Sequence, residues 1–122
     1  MPKNKTLVLG ASENPQRYSN IAMRMLNGID EPIVAIGRKE GVAHSIKIQK
    51  GQPQRNDIQT VTLYLGPRFQ TEYIDYIIHE LKPERIIFNP GTENYDFTQK
   101  AEESGIRTIE ACTLVMIRTG QY

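Results

Sequence analysis

TLVLGASENPQRYSNIAMRM, residues 6 to 25, reads as a short apolar strand that stops at Gly10 and restarts as a helix. Leu7, Val8 and Leu9 supply the strand. The turn is rich in small and polar residues, and Ile21/Met25 and Ala22/Leu26 repeat at helical spacing. A strand that turns directly into a helix offers free backbone N–H groups to a phosphate, as parallel α/β proteins do. A helix over Ser19 to Asn27, closed by a left-handed Gly28, is predicted.

The units that follow repeat this alternation. Ile33 to Ile36 is a continuous apolar run, too short for a helix and suited to a strand buried on both faces. Arg38 to Gln59 is weakly patterned, with one small strand suggested at Ser45 to Ile48. Thr60 to Leu65 is rich in β-branched and aromatic residues and is closed by Gly66-Pro67. Ile74, Ile77, Ile78 and Leu81 then fall at i, i+3, i+4 and i+7, one face of a helix that Pro83 must end. Arg85 to Phe88 is the next strand. Asp96, with Gln99 three residues on, predicts an N-cap for a helix ending at Gly105. Ile106 to Glu110 is the last strand, and Leu114 to Ile117 a terminal turn or short helix.

This pattern predicts one α/β domain over residues 1–122: a Rossmann-like, doubly wound, three-layer fold with a mainly parallel five-stranded sheet and helices on both faces. Ligands of such sheets sit beyond the carboxyl ends of the strands, where the strand order reverses. The expected functional surface therefore gathers Gly10 to Asn20, Gly37 to Lys39, Leu65 to Arg68, Asn89 to Asn94 and the residues after Glu110.

Composition narrows the partners. Fifteen basic residues against 14 acidic ones give a net charge of +1, so no long-range field points to nucleic acid or to a membrane surface. The six tyrosines form no stacking motif for single strands. No apolar run reaches the length of a membrane span, and a lone Cys112 suits a reducing compartment, so a cytoplasmic protein is expected. His44 and His79 have no metal-ligand or triad pattern around them. Cys112, Glu93 and Glu110 fall at strand ends, where a thiol or a carboxylate pair would meet a ligand.

The first turn has one glycine and lacks the G-x-G-x-x-G dinucleotide fingerprint. After the second strand, an enzyme of unphosphorylated nicotinamide cofactors would place an acid on the ribose hydroxyls. This chain has Gly37-Arg38-Lys39. A bidentate guanidinium and an ammonium suit a phosphorylated ribose, in NADP or in coenzyme A. The structural alternative is a solvated basic corner paired with Glu40.

VLGAS in the first turn, FNPGTEN after the fourth strand and the closing EACTLVMIRTGQY together resemble the small stand-alone CoA-binding proteins, over nearly the whole chain. That family is related to the N-terminal domain of the succinyl-CoA synthetase α subunit. The resemblance implies a site for CoA or an acyl-CoA. Its pyrophosphate would lie at Gly10, Ala11, Ser12, Arg17, Tyr18, Ser19 and Asn20, and its 3′-phosphate adenosine near Gly37, Arg38 and Lys39. The pantetheine arm would be directed toward Asn89, Pro90 and Gly91, and Leu65, Gly66, Pro67 and Glu93 complete the expected binding residues. Many relatives carry Asn-Pro where this chain has Gly37-Arg38. The related ligases use a phosphohistidine domain and a partner subunit that have no counterpart in the sequence, so binding without catalysis is expected. Two alternatives stay open: a small NADP-binding oxidoreductase or sensor, and an interaction module that has kept the fold and lost its ligand.

Overall fold

The computed structural model describes residues 2–122. Strand β1 spans Lys5–Leu9 and β2 Ile33–Ile36, separated by helix α1, Tyr18–Gly28. Two short strands follow, β3 at Gly41–Ala43 and β4 at Ile46–Gln49, and then β5 at Ile58–Leu63. Helix α2 begins at Pro67–Gln70, passes through a 3-10 turn at Thr71–Tyr73 and widens to a π-helical segment at Tyr76–Leu81. Strand β6, Arg85–Phe88, helix α3, Tyr95–Glu103, strand β7, Arg107–Glu110, and helix α4, Thr113–Arg118, complete the chain.

All seven strands join one sheet in the order β3-β4-β2-β1-β5-β6-β7. Every pairing is parallel except β3 with β4. The fold is therefore α/β and Rossmann-like, with a mostly parallel sheet. The five expected strands are β1, β2, β5, β6 and β7. The sheet has two more because the weakly patterned stretch after Lys39 forms a hairpin that adds to the β2 edge. Its two central turn residues, His44 (φ 53) and Ser45 (φ 66), are both left-handed. Such turns usually take Asn-Gly, so the sequence gives no hairpin signal here. A hydrogen bond of 2.8 Å between His44 Nε2 and Asn20 Oδ1 ties the turn to α1.

The strands alternate their side chains between two cores. Leu7, Leu9, Ile36, Val61, Leu63, Ile86 and Phe88 meet Tyr76, Ile77, Ile78 and Leu81 of α2 and Phe97 and Ala101 of α3. Val8 and Ala35 face the other way onto Met23 and Leu26 of α1, with Ile117 of α4 and Tyr122 packed alongside. The predicted α2 face is thus buried, with Ile74 half-buried at its edge.

Local ends differ from expectation for identifiable reasons. Gly28 stays inside α1, and Asp30 (φ 59) makes the left-handed step instead. Asn94, rather than Asp96, caps α3: its Oδ1 accepts the Phe97 N–H at 3.1 Å. Asp96 lies within the first turn, where it still favours the helix dipole. Gln99 donates to the Tyr95 hydroxyl at 2.7 Å and closes no capping box. Strand β5 starts and ends two residues earlier than predicted, leaving Tyr64 and Leu65 to begin the turn toward α2.

Candidate functional site

Strand order reverses at β1: β2 lies on one side and β5 on the other. Above this point, at the carboxyl ends of the strands, is a cleft of about 1020 Å³. A smaller cavity of about 240 Å³ lies at the opposite ends of the strands, lined by Glu31, Gln59, Glu84, Arg85, Arg107 and Tyr122.

The floor of the large cleft is built by close backbone approach. Gly10 and Ala11 both donate their N–H groups to the Ile36 carbonyl, at 2.8 and 3.0 Å. A Cβ on Gly37 would fall on the Ala11 carbonyl oxygen and 2.9 Å from Ile48 Cγ2. Gly10 has φ +100, and a Cβ there would come 2.9 Å from the Tyr64 carbonyl carbon. The two glycines are required where the turn after β1 presses between β2 and β5. Gly10 and Ala11 line the cleft, but their N–H groups are already used, contrary to the expectation that they face a phosphate.

The donors that stay free lie further along. Residues 12–17 run as tight turns: Ser12 Oγ accepts from Asn14 N–H, Asn14 Oδ1 from Gln16 N–H and the Asn14 carbonyl from Arg17 N–H. Arg17 is the N-cap of α1 and provides no side-chain cap. Among the described residues nothing accepts from the N–H groups of Tyr18 and Ser19, the first two of the helix. Ser12, Arg17, Tyr18 and Ser19 line the cleft, Tyr18 being 70% exposed. Asn20 does not. It is buried, and its side chain donates to the Ser12 carbonyl at 2.9 Å while meeting His44, so it holds the turn from below.

Arg38 and Lys39 line the wall next to β2 and are exposed. Gly37 is buried beneath them and does not line it. The ion pairs among the described residues are Lys5–Asp57 and Arg55–Asp57; neither Glu40 nor any other carboxylate lies within 4 Å of Arg17, Arg38 or Lys39. Three unneutralised cations thus face one cleft. Glu13 also lines the cleft without pairing with them, its carboxylate accepting Val42 N–H at 3.0 Å and packing against Gly41 at the start of the hairpin.

The far wall comes from the turns after β5 and β6. Leu65, Gly66, Pro90, Gly91 and Thr92 line it, together with Tyr64 and Phe69, which were not anticipated; Glu13 and Asn14 of the first turn, both within the expected surface, also line the cleft. Pro67 opens α2 and faces solvent. Asn89 is a buried clamp: its Nδ2 donates to Thr62 Oγ1 at 2.7 Å and the Leu63 carbonyl at 2.8 Å, and its Oδ1 accepts Thr113 N–H at 2.8 Å. Glu93 bends back to accept Gly91 N–H at 2.9 Å. Fully buried Gln70 joins the two turns by donating to the Leu65 and Thr92 carbonyls, while its Oε1 accepts from Asn94. Asparagine and glutamine in these roles carry no periodic signal. Burial pushes the Tyr64 phenol up to about 12, and its hydroxyl has no hydrogen-bond partner among the described residues. Cys112 is half-buried as the N-cap residue of α4, and neither it, Glu93 nor Glu110 lines the cleft.

The cleft therefore offers the two helix N–H groups, two guanidiniums and an ammonium among its donors, with the Glu13 carboxylate at its edge and apolar surface at Leu65, Phe69 and Pro90. It fits a ligand with several phosphates and an apolar portion. No helix among the described residues is long and apolar enough to cross a membrane.

The chain is similar to solved structures across almost its full length. It shares 39% identity with a protein solved as an uncharacterized protein, at a TM-score of 0.94, covering 98% of each chain. A hypothetical protein from Pyrococcus horikoshii OT3 has 23% identity and a TM-score of 0.85, covering 96% of this chain and 83% of that one. A conserved hypothetical protein from Pyrococcus furiosus has 19% identity and a TM-score of 0.75, over 92% and 97%. No curated protein matches the chain. The CoA binding domain profile matches residues 4–118, and the chain belongs to that family.

Proposed function

We propose that the protein binds coenzyme A or an acyl-CoA in the cleft at the reversal of strand order, and that residues 1–122 form one binding domain without catalytic machinery of its own. The observation that carries this reading is the convergence of Arg17, Arg38 and Lys39, free of carboxylate partners, on one cleft in a member of the CoA binding domain family. In this reading the Tyr18 and Ser19 N–H groups and Arg17 hold the pyrophosphate. Arg38 and Lys39 hold the ribose phosphate, and the pantetheine arm follows Leu65 and Gly66 toward Pro90 and Gly91. Asn20, Gly37, Asn89 and Glu93 contribute by shaping the turns. The lone cysteine supports a cytoplasmic setting.

Mass spectrometry of the gently desalted protein tests the ligand class, since a retained CoA thioester identifies it directly. NADP also has a phosphorylated ribose, so a larger thermal shift with NADP than with CoA would favour an oxidoreductase or sensor instead.

A further inference from the structure

Phe69 belongs to neither hydrophobic core, although it is half-buried. Its ring lines the cleft, and what covers it is charge: the Arg38 guanidinium carbon lies 5.0 Å from the ring centroid and that of Arg68 4.6 Å. Arg38 follows β2 and Phe69 follows β5, with β1 between these strands. The Arg38–Phe69 contact therefore bridges the cleft above the Gly10 turn. Both arginines are exposed, so this cover is held by a solvated cation–π contact rather than by packing.

We propose that Phe69 is the stacking platform for the ligand's purine base, and that Arg38 occupies it only until a ribose phosphate draws the guanidinium away. The inference rests on the reading of the cleft as a CoA site and adds to it the base platform and a discriminating switch. A base and a phosphate carried by one ribose must be received by groups a few ångströms apart, which Phe69 and Arg38 are. Flat π-faces of bases and guanidinium planes stack on aromatic rings in the same way, so one can replace the other. Of the other two aromatics of the cleft, Tyr64 is packed against the second core with its hydroxyl buried, and Tyr18 stands at the first helical position of α1 beside the free N–H groups, where a phosphate competes for the space.

Because Arg38 competes with the base when no ribose phosphate is present and assists when one is, its removal has opposite consequences for the two ligand types. Isothermal titration of the full chain with CoA, dephospho-CoA, adenosine 3′,5′-bisphosphate and 4′-phosphopantetheine tests this. Phe69→Leu is expected to weaken CoA and the bisphosphate about tenfold or more and to leave 4′-phosphopantetheine unchanged, with Phe69→Tyr restoring the loss. Arg38→Ala is expected to weaken CoA about tenfold while dephospho-CoA binds as well as before or better. Equal losses of the bisphosphate and 4′-phosphopantetheine in Phe69→Leu, or equal losses of CoA and dephospho-CoA in Arg38→Ala, would overturn the proposal. Parent protein that binds none of the four refutes the CoA reading itself; parent that binds CoA while Phe69→Leu binds the bisphosphate unchanged refutes only the platform.

Discussion

Gly37 sits against the Ala11 carbonyl oxygen, leaving no room for a Cβ. The contact joins the end of β2 to the turn after β1 and so fixes both the floor of the cleft and the basic residues that follow. Gly37→Ala must push the two turns apart, at a cost of about 2 kcal/mol or more. Gly28 is the internal contrast: it is helical, and a Cβ there would meet nothing within 4 Å. Gly28→Ala is expected to stabilise by about 0.5–1 kcal/mol. Urea midpoints of the two variants should move in opposite directions.

Asn89 supports the cleft from within the protein. Asn89→Ala strips Thr113 N–H and Thr62 Oγ1 of a partner in a fully buried setting, and about 3 kcal/mol of stability should be lost, read as a lower melting temperature. A variant as stable as the parent would mean that the clamp does not form.

Arg17 is exposed, makes no ion pair within 4 Å and lines the cleft. Arg17→Ala should therefore leave the melting temperature of the ligand-free protein within about 2 °C of the parent and weaken CoA about tenfold. Unchanged affinity would remove the turn after β1 from the pyrophosphate site.

Acid should weaken the strand starts before it affects the cleft. Arg55 donates to both Asp57 oxygens, at 2.9 and 2.8 Å, and Lys5 adds an ion pair at 3.3 Å. The Arg55 hydrogen bonds lead in lowering the Asp57 carboxyl to about 2, against an opposing push from burial. A carboxyl depressed in the folded state adds stability above its unfolded pKa of about 4, and this is lost as pH falls from there through about 2. Asp57→Asn should cost about 1 kcal/mol at neutral pH and flatten the stability profile over that acid window.

Much of the fold was legible because its signals are local and periodic. Five of the six parallel strands, the apolar face of α2 and the reversal at β1 follow from Leu7–Leu9, Ile33–Ile36 and the Ile77/Ile78/Leu81 spacing. The hairpin was not legible as a pair of strands, since His44 and Ser45 adopt a conformation their side chains do not favour and are tied to Asn20 from another element. The basic wall could be read from Gly37-Arg38-Lys39. Phe69 and Gln70 could not be assigned to the cleft, because only the folded α2 turn sets one beside Arg38 and the other between two loops. For Asn20, Asn89 and Glu93, residue type alone does not distinguish a ligand contact from a bond that shapes a turn.

The most direct test of the central claim compares CoA with dephospho-CoA in thermal denaturation at matched concentration. At about a hundred times the dissociation constant, CoA should add roughly 2.7 kcal/mol, several degrees in melting temperature, and dephospho-CoA distinctly less. No shift with CoA or its acyl thioesters, or equal shifts with and without the 3′-phosphate, would contradict the account.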